Sequence, residues 1–462
     1  MRNLYNSLVS SVIFPLQEKL KGHTTLSVRQ AMEKSQWWST EQLHAFQLKR
    51  LKTLLKNVAD TVPYYQTLFS DAGFSPDHIR ELDDLSRLPF LTKQDIRENL
   101  EALKSTQAKD LSRFNTGGSS GEPLIFFIGN ERVSHDVAAK WRATRWWDVD
   151  IGDPEIVLWG SPIELSSQDH VRIWRDRIFR SKLLPAFEMS AQKIDGFLQE
   201  IQKMRPDMLF GYPSALAFIA QHAQKQGVRM DNLGIKVAFV TAERTYDWQR
   251  EIITDTFACK LANGYGGRDA GFIAHECPAG SLHLTAEDII VEVVDNQGNV
   301  LPVGERGELV VTHLATRDFP FIRYRTGDVG VLSDKTCACG RGLPVLASIE
   351  GRTTDFVVAA DGTVMHGLAL IYTVRDLPGV REFKIIQEST QRTRVLLVAN
   401  DEFGRASVDR IKADFKSRLG ESVEIIVDRV DEIPAERSGK HRYVVGLGDI
   451  NPEQQSTVQS NV

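Results

Sequence analysis

The chain has 462 residues, 42% of them apolar, and a formal net charge of −5. That length and apolar content exclude a disordered polymer and exceed what one core organises, so two or more domains are expected. The charge excludes a general nucleic-acid binder, which needs a basic face to displace counterions. Four cysteines are too few for a disulfide framework and point to a reducing, cytoplasmic compartment.

At the N-terminus an apolar patch from Leu8 to Phe14 is closed by Pro15 with no small-residue cleavage site after it, which argues against a secretory signal. No segment reaches the ~20 apolar residues needed to span a bilayer, so no transmembrane segment is expected. An amphipathic helix packed on the body is expected here, with loose attachment to a membrane surface as the alternative. Leu43, Phe46, Leu51, Leu54, Leu55 and Val58 recur at helical steps ahead of Pro63. Ile194, Phe197, Leu198, Ile201 and Met204 form a second such stripe ahead of Pro206. The runs LIFFI from Leu124, EIVLW from Glu155, DMLFGY from Asp207 and KVAFV from Lys236 read as buried strands alternating with helices in an α/β sheet. From Ile289 the runs IIVEVVD, GELVVTHL and VGVLSD, separated by turn residues, predict a more antiparallel β section.

A third texture starts near Gly351. FVVAADGTVM predicts a hairpin turning at Asp361-Gly362, and EFKIIQ, RVLLVAN and EIIVDRV add strands. A helix carrying Val408, Ile411, Phe415 and Leu419 inward is capped by Gly420. The expected fold class is α/β: a large multi-layer N-terminal domain (1–350) with α/β sheets and a β section, plus a small C-terminal α+β domain (351–450). A polar tail, 451–462, follows.

Five local features carry chemistry. In Asn115-Thr-Gly-Gly-Ser-Ser-Gly-Glu-Pro123, three glycines let backbone approach a bulky anion, and Thr116, Ser119 and Ser120 add hydroxyl donors. It is not a P-loop, because no Gly-Lys-Ser/Thr closes it and a strand follows. In Gly264-Tyr-Gly-Gly-Arg-Asp-Ala-Gly271 an aromatic ring between glycines can stack on a base, and Asp269 can hold Mg2+ through oxygen. Tyr324-Arg-Thr-Gly-Asp328 places a carboxylate where it can accept two ribose hydroxyls. Gly351-Arg-Thr-Thr-Asp355 lies where the texture changes, and Arg437-Ser-Gly-Lys-His441 puts a lysine in a glycine-containing loop.

In this order and spacing, from about residue 80 to residue 445, the five motifs resemble the adenylate-forming superfamily of acyl-CoA synthetases, non-ribosomal peptide adenylation domains and luciferases. Closer in, they resemble its phenylacetate–CoA ligase branch and the capsular-polysaccharide-biosynthesis-type relatives. The resemblance implies an AMP-forming acid–thiol or acid–amine ligase that uses ATP and Mg2+. Such a ligase would act on a small carboxylic acid, aryl or acyl, and pass the acyl group to coenzyme A or to another thiol or amine. It also implies roles: Thr116, Gly117, Gly118, Ser119, Ser120 and Gly121 around the β- and γ-phosphates, Tyr265 against adenine, and Asp269 on Mg2+. Asp328 would hold the ribose, Arg352 the nucleotide just after the hinge, and Lys440 the charge on the reacting oxygens. Two positions depart from the pattern. Glu122 stands where many members have Lys, and is expected to face solvent; Asp269 is one methylene shorter than the usual Glu. Thr354 takes the hinge position beside Asp355. Thr241-Ala-Glu243 matches an adenine-pocket stretch, and Tyr212 is a candidate wall of the acid pocket or a core aromatic. A catalytically inactive nucleotide-binding scaffold in polysaccharide biosynthesis is the competing reading, and a homodimer is compatible with either.

Cys259, in TFACKLA, reads as a buried small hydrophobe. Cys277, His283, Cys337 and Cys339 offer four ligands of the type Zn2+ prefers, with His275 as an alternative fourth. The four fit a structural zinc site, with free buried thiols as the alternative reading.

Overall fold

The structure is a computed structural model describing residues 2–116, 124–159, 170–186, 188–189, 191–243, 245–350, 356–375, 377–433 and 444–447. Helices Arg2–Leu8 and Phe14–Leu20, joined by a π turn over Val9–Ile13, precede helices Thr25–Ser35 and Thr40–Thr61. The last of these starts on a capping box. Ser39 accepts from the Gln42 backbone and the Gln42 side chain accepts from the Ser39 backbone, which satisfies two otherwise orphaned N–H groups. Most of its expected stripe is inward, with Leu43, Leu51, Leu54, Leu55 and Val58 buried, while Phe46 is half-buried against Trp38. Pro63 opens the next helix at its first turn, where a missing N–H costs nothing.

Strands β1 (Ser112–Asn115) and β2 (Ile125–Ile128) form a two-stranded antiparallel sheet of their own. This corrects the expectation for LIFFI: it leaves the main sheet and pairs with the strand on the other side of the glycine-serine stretch. A short apolar run fits either environment, and only its partner decides.

The main sheet has eleven strands in the order β11-β12-β13-β14-β10-β9-β8-β7-β6-β3-β4. Its parallel half comprises β3 (Glu155–Trp159), β4 (Ser181–Pro185), β6 (Met208–Gly211), β7 (Val237–Thr241) and β8 (Lys260–Gly267). Helices Ala191–Met204, Pro213–Lys225 and Asp247–Phe257 connect these strands; of the predicted stripe, Ile194, Phe197, Leu198 and Ile201 are buried against the sheet and Met204 is half-buried at its end. The antiparallel half comprises β9 (Gly271–Glu276), β10 (Leu282–Leu284), β11 (Ile289–Val294), β12 (Arg306–His313), β13 (Tyr324–Ser333) and β14 (Val345–Glu350). Strand β8 is the join, parallel to β7 and antiparallel to β9.

The C-terminal module has its own core, with Phe383, Ile385, Val395, Leu397, Ile411, Phe415 and Leu419 buried. Strands β15 (Phe356–Val358) and β16 (Val364–His366) make the expected hairpin, with Gly362 at φ +85°. They form a sheet with β5 (Glu188–Met189) of the large domain through the pair Val364 and Met189. Strands β17 (Val380–Ser389), β18 (Arg392–Ala399), β19 (Glu424–Arg429) and β20 (Val444–Val445) form the module's sheet, against which helix Arg405–Leu419 packs. The buried Gln387 amide bridges both backbone groups of Val358, donating to its carbonyl and accepting from its N–H. Among the described residues no helix is long and apolar enough to cross a membrane. The polar tail lies outside the described residues.

Candidate active-site cleft

In open α/β sheets, ligands sit beyond the carboxyl ends of the parallel strands, where connections change direction. Here that position is a cavity of about 1260 Å³. Its lining includes Trp159 at the end of β3, Tyr212 after β6, Thr241 to Glu243 at the end of β7 and just beyond it, and Gly264 to Gly271 from the last residues of β8 to the first of β9. Thr116, Tyr265, Asp269 and Asp328, from three sequence motifs, all line it.

The hairpin around Asp269 is closed by its glycines. A Cβ at position 266 would lie 2.3 Å from the Gly271 carbonyl oxygen, and Gly271 has φ +86°. This tight crossing holds Asp269 at the tip. Its Oδ2 accepts from the buried Tyr324 hydroxyl at 2.7 Å and its Oδ1 from the Ala270 N–H at 3.1 Å. Tyr265 donates to Asp328 Oδ2 at 3.0 Å. The Asp328 backbone N–H in turn donates to Thr326 Oγ1 at 3.0 Å. The second and third motifs are therefore crossed: each tyrosine holds the other motif's carboxylate. Arg268 reaches the Asn115 carbonyl at 3.4 Å, tying in the first motif. Thr116 and Leu124 exchange backbone and side-chain hydrogen bonds at 3.0 Å across the base of that loop. Gly117, Gly118, Ser119, Ser120, Gly121 and Glu122 lie outside the described residues, as do Arg352, Thr354, Asp355 and Lys440.

Beneath the hairpin, helix Asn130–Arg145 supplies a buried polar layer. Arg132, 2% exposed, donates to the Arg268 carbonyl at 2.9 Å and pairs with Asp136 at 3.3 Å. Burial works against the Asp136 carboxylate, yet Arg132 and the His313 hydrogen bond hold its pKa below the usual value. His135 and Arg50 similarly outweigh burial at Asp288, each at 2.6 Å.

The other end of the cleft is aromatic. Tyr212 stacks on Trp159 with centroids 4.5 Å apart, and Phe210 continues the series to Phe239 and His275. Tyr212 is thus a cavity wall. His275 is buried against Phe239 and Phe272, and burial, with Arg142 nearby, pushes its pKa down to about 3, so the ring is neutral. Glu243 closes the pocket. Its Oε1 is sealed from solvent, Ser214 donates to its Oε2, and burial pushes its pKa up to about 8. Between the ordinary carboxyl value and about 8 the unfolded chain has lost this proton while the folded chain keeps it. Stability should therefore fall as pH rises through that window. Urea unfolding from pH 5 to 8 is expected to show this slope, and Glu243→Gln to flatten it by on the order of 2 kcal/mol, a discounted figure because the residue is only half-buried.

The cysteines converge as well. The ligand atoms of Cys277, His283, Cys337 and Cys339 all lie within 4.8 Å of one another. Cys277 and Cys337 sulfurs are 3.6 Å apart, far beyond the ~2.05 Å of a disulfide but close to the ~3.8 Å that two Zn–S bonds at a tetrahedral angle produce. His283 Nδ1 lies 3.0 Å from the Leu343 carbonyl, as its donor in the tautomer that leaves Nε2 facing Cys339 Sγ at 3.2 Å. The alternative fourth ligand is corrected: His275 is held among rings and is not one of the four converging groups. Cys259 is half-buried rather than buried, packed against the parallel half of the sheet.

Tyr324, Arg132, Ser214 and the Trp159–Phe210–Phe239 wall were not assigned from sequence. Only Tyr324 had a local signal, its place at the head of the Asp328 motif.

The family described as the CapK C-terminal domain matches residues 357–446. Protein CapK of Staphylococcus aureus is 22% identical over 87% of this chain and 89% of its own. A phenylacetate–coenzyme A ligase of Thermus thermophilus is 29% identical over 69% of this chain and 72% of its own. These matches support the phenylacetate–CoA ligase-like and CapK branch of the adenylate-forming enzymes as what this chain is similar to. The solved structure of 2-hydroxyisobutyryl-CoA ligase with 2-HIB-AMP and CoA, in the thioesterification state, shares the fold. It has a TM-score of 0.65 at 20% identity, covering 92% of this chain and 93% of that one. The same ligase in its postadenylation state with 2-HIB-AMP gives 0.59.

Proposed function

We propose that the protein activates a carboxylic acid with ATP and passes the acyl group to coenzyme A or another nucleophile, as an AMP-forming ligase. The observation that carries this reading is the convergence of Thr116, Tyr265, Asp269 and Asp328 on one cleft that ends in an aromatic pocket. In the first step a carboxylate oxygen attacks the α-phosphorus and the bond to pyrophosphate breaks. In the second, a thiol sulfur gives up its proton and attacks the acyl carbon, and AMP leaves. The carboxylate is its own nucleophile, so positioning and charge neutralisation suffice.

Thr116, with Gly117 to Gly121, would receive the β- and γ-phosphates, and the Tyr265 ring would stack on adenine. Asp328, oriented by the Tyr265 hydroxyl, would take the ribose hydroxyls, with Arg352 also on the nucleotide. The aromatic walls Trp159, Tyr212 and Phe239 suit a flat apolar acid, aryl or acyl. Asp269 fits Mg2+: it is a hard-oxygen ligand in the cleft, oriented by Tyr324, and Mg2+ is commonly held by one carboxylate plus substrate phosphates. When bound, the ion neutralises phosphate charge. Replacing Asp269 by alanine is expected to raise the Mg2+ concentration for half-maximal activity by about tenfold or more, read from a Mg2+ titration.

We also read Cys277, His283, Cys337 and Cys339 as a structural zinc site, closed by four protein ligands. It would pin the β9–β10 turn to the segment between β13 and β14, and residues of both line the cleft, among them Ser281 and Ala338.

Acid-dependent ATP–pyrophosphate exchange over a panel of aryl and fatty acids tests the reading. At least one acid should support exchange; exchange with none would favour a nucleotide-binding scaffold.

A further inference from the structure

The N-terminal helical segment has two apolar sides. One is buried: Val9 and Phe14 pack with Ile151. The other is bare. Leu4, Leu8, Val12, Leu16 and Leu20 are 78%, 48%, 54%, 56% and 80% exposed. They recur every four residues over about 24 Å of helix. In a pure α-helix a four-residue step overshoots each turn and would wind the series around the axis. The π turn at Val9–Ile13 is wider and turns it back, which keeps the row together.

The neighbouring helix His170–Phe179 packs against the same segment. Tyr5 donates to the Ile178 carbonyl at 2.8 Å, Phe14 meets Phe179 edge-on at 6.0 Å, and Arg180 lies 4.7 Å over the Tyr5 ring. That helix exposes Trp174 by 63% and Ile178 by 38%. Isolated exposed leucines are ordinary, but a row of five exposed aliphatic residues, with an exposed tryptophan on the helix packed against their segment, is a surface that expects cover.

The charge says what covers it. Residues 2–21 and 170–180 carry seven Arg and Lys against two Asp and Glu, in a chain whose formal net charge is −5. A second copy would set this excess of positive charge against itself. An anionic lipid surface would take up the apolar row and attract the cations together. We propose that this face docks the protein on an anionic membrane surface, lying in the interface without spanning it. None of the exposed residues lines the cleft, so the surface is independent of the ligase reading.

The test uses the full chain with two kinds of vesicle: pure phosphatidylcholine, and phosphatidylcholine with about one-third phosphatidylglycerol. The wild type should sediment with the anionic vesicles at least tenfold more strongly than with the neutral ones, and raised salt should release it. The double variant Leu8→Glu/Leu16→Glu should lose at least tenfold of that binding with an unchanged melting curve. Leu4→Glu/Leu20→Glu, at the most exposed positions, should do the same and serves if the first variant folds poorly. Wild type left in solution with both vesicles would overturn the proposal. So would equal binding to neutral and anionic vesicles, or a wild-type dimer that these substitutions split without vesicle binding.

Discussion

Replacing Lys440 with alanine is expected to lower acid-dependent ATP–pyrophosphate exchange by about 10²–10³, some 3–4 kcal/mol of transition-state stabilisation. Attack of a carboxylate on a triphosphate brings anions together, and an ammonium aimed at the reacting oxygens acts mainly on the charge that develops there. Lys440 lies outside the described residues, so this role rests on its motif, and the variant is a strong test of it. The loss should be selective. If the C-terminal module withdraws Lys440 before acyl transfer, thioester formation from a synthetic acyl-adenylate should stay within about threefold of wild type, a gating split rather than a general defect. Equal loss in both half-reactions would instead make Lys440 a fold or binding residue.

The second large effect concerns zinc. Chelator dialysis of the purified protein should remove close to one equivalent of zinc by elemental analysis and lower the melting temperature. A ligand held at a thousand times its Kd stabilises by about 4 kcal/mol, and with an unfolding entropy of about 2.1 cal/mol/K per residue each kcal/mol moves a domain of this size by about 1–2 °C, so the shift is on the order of 5–10 °C. Cys339→Ser should reproduce the shift without chelator, because a hard hydroxyl replaces a soft thiolate beside His283 Nε2. Less than a tenth of an equivalent of zinc, with an unchanged melting curve, would make these four residues a thiol–imidazole cluster only. Because Ser281 and Ala338 line the cleft beside the cluster, loss of the ion should also weaken binding at that end of the pocket.

Local signals were the legible part. The stripe Ile194, Phe197, Leu198 and Ile201, the hairpin at Asp361-Gly362 and the cap at Gly420 depend on near neighbours, and each is found where its residues predict it. The motif residues Tyr265, Asp269 and Asp328 were legible because glycines mark tight backbone around them. Pairings between distant segments were not. Arg142 meets Glu287 across 145 positions and His135 meets Asp288 across 153, and neither charge carries a local mark of its partner. The aromatic wall is hidden for the same reason: Trp159, Phe210 and Phe239 each read as one more strand residue, and only parallel pairing of β3, β6 and β7 lines them up. LIFFI was misplaced because its partner, Ser112 to Asn115, is short and polar and gives no sign of a strand.

In this reading an acid's own oxygen displaces pyrophosphate in the cleft. With an acid that supports exchange, labelled with ¹⁸O in its carboxylate, one label should end in the phosphate of the AMP produced. An unlabelled AMP, or ADP and phosphate as the products of acid-dependent turnover, would contradict it.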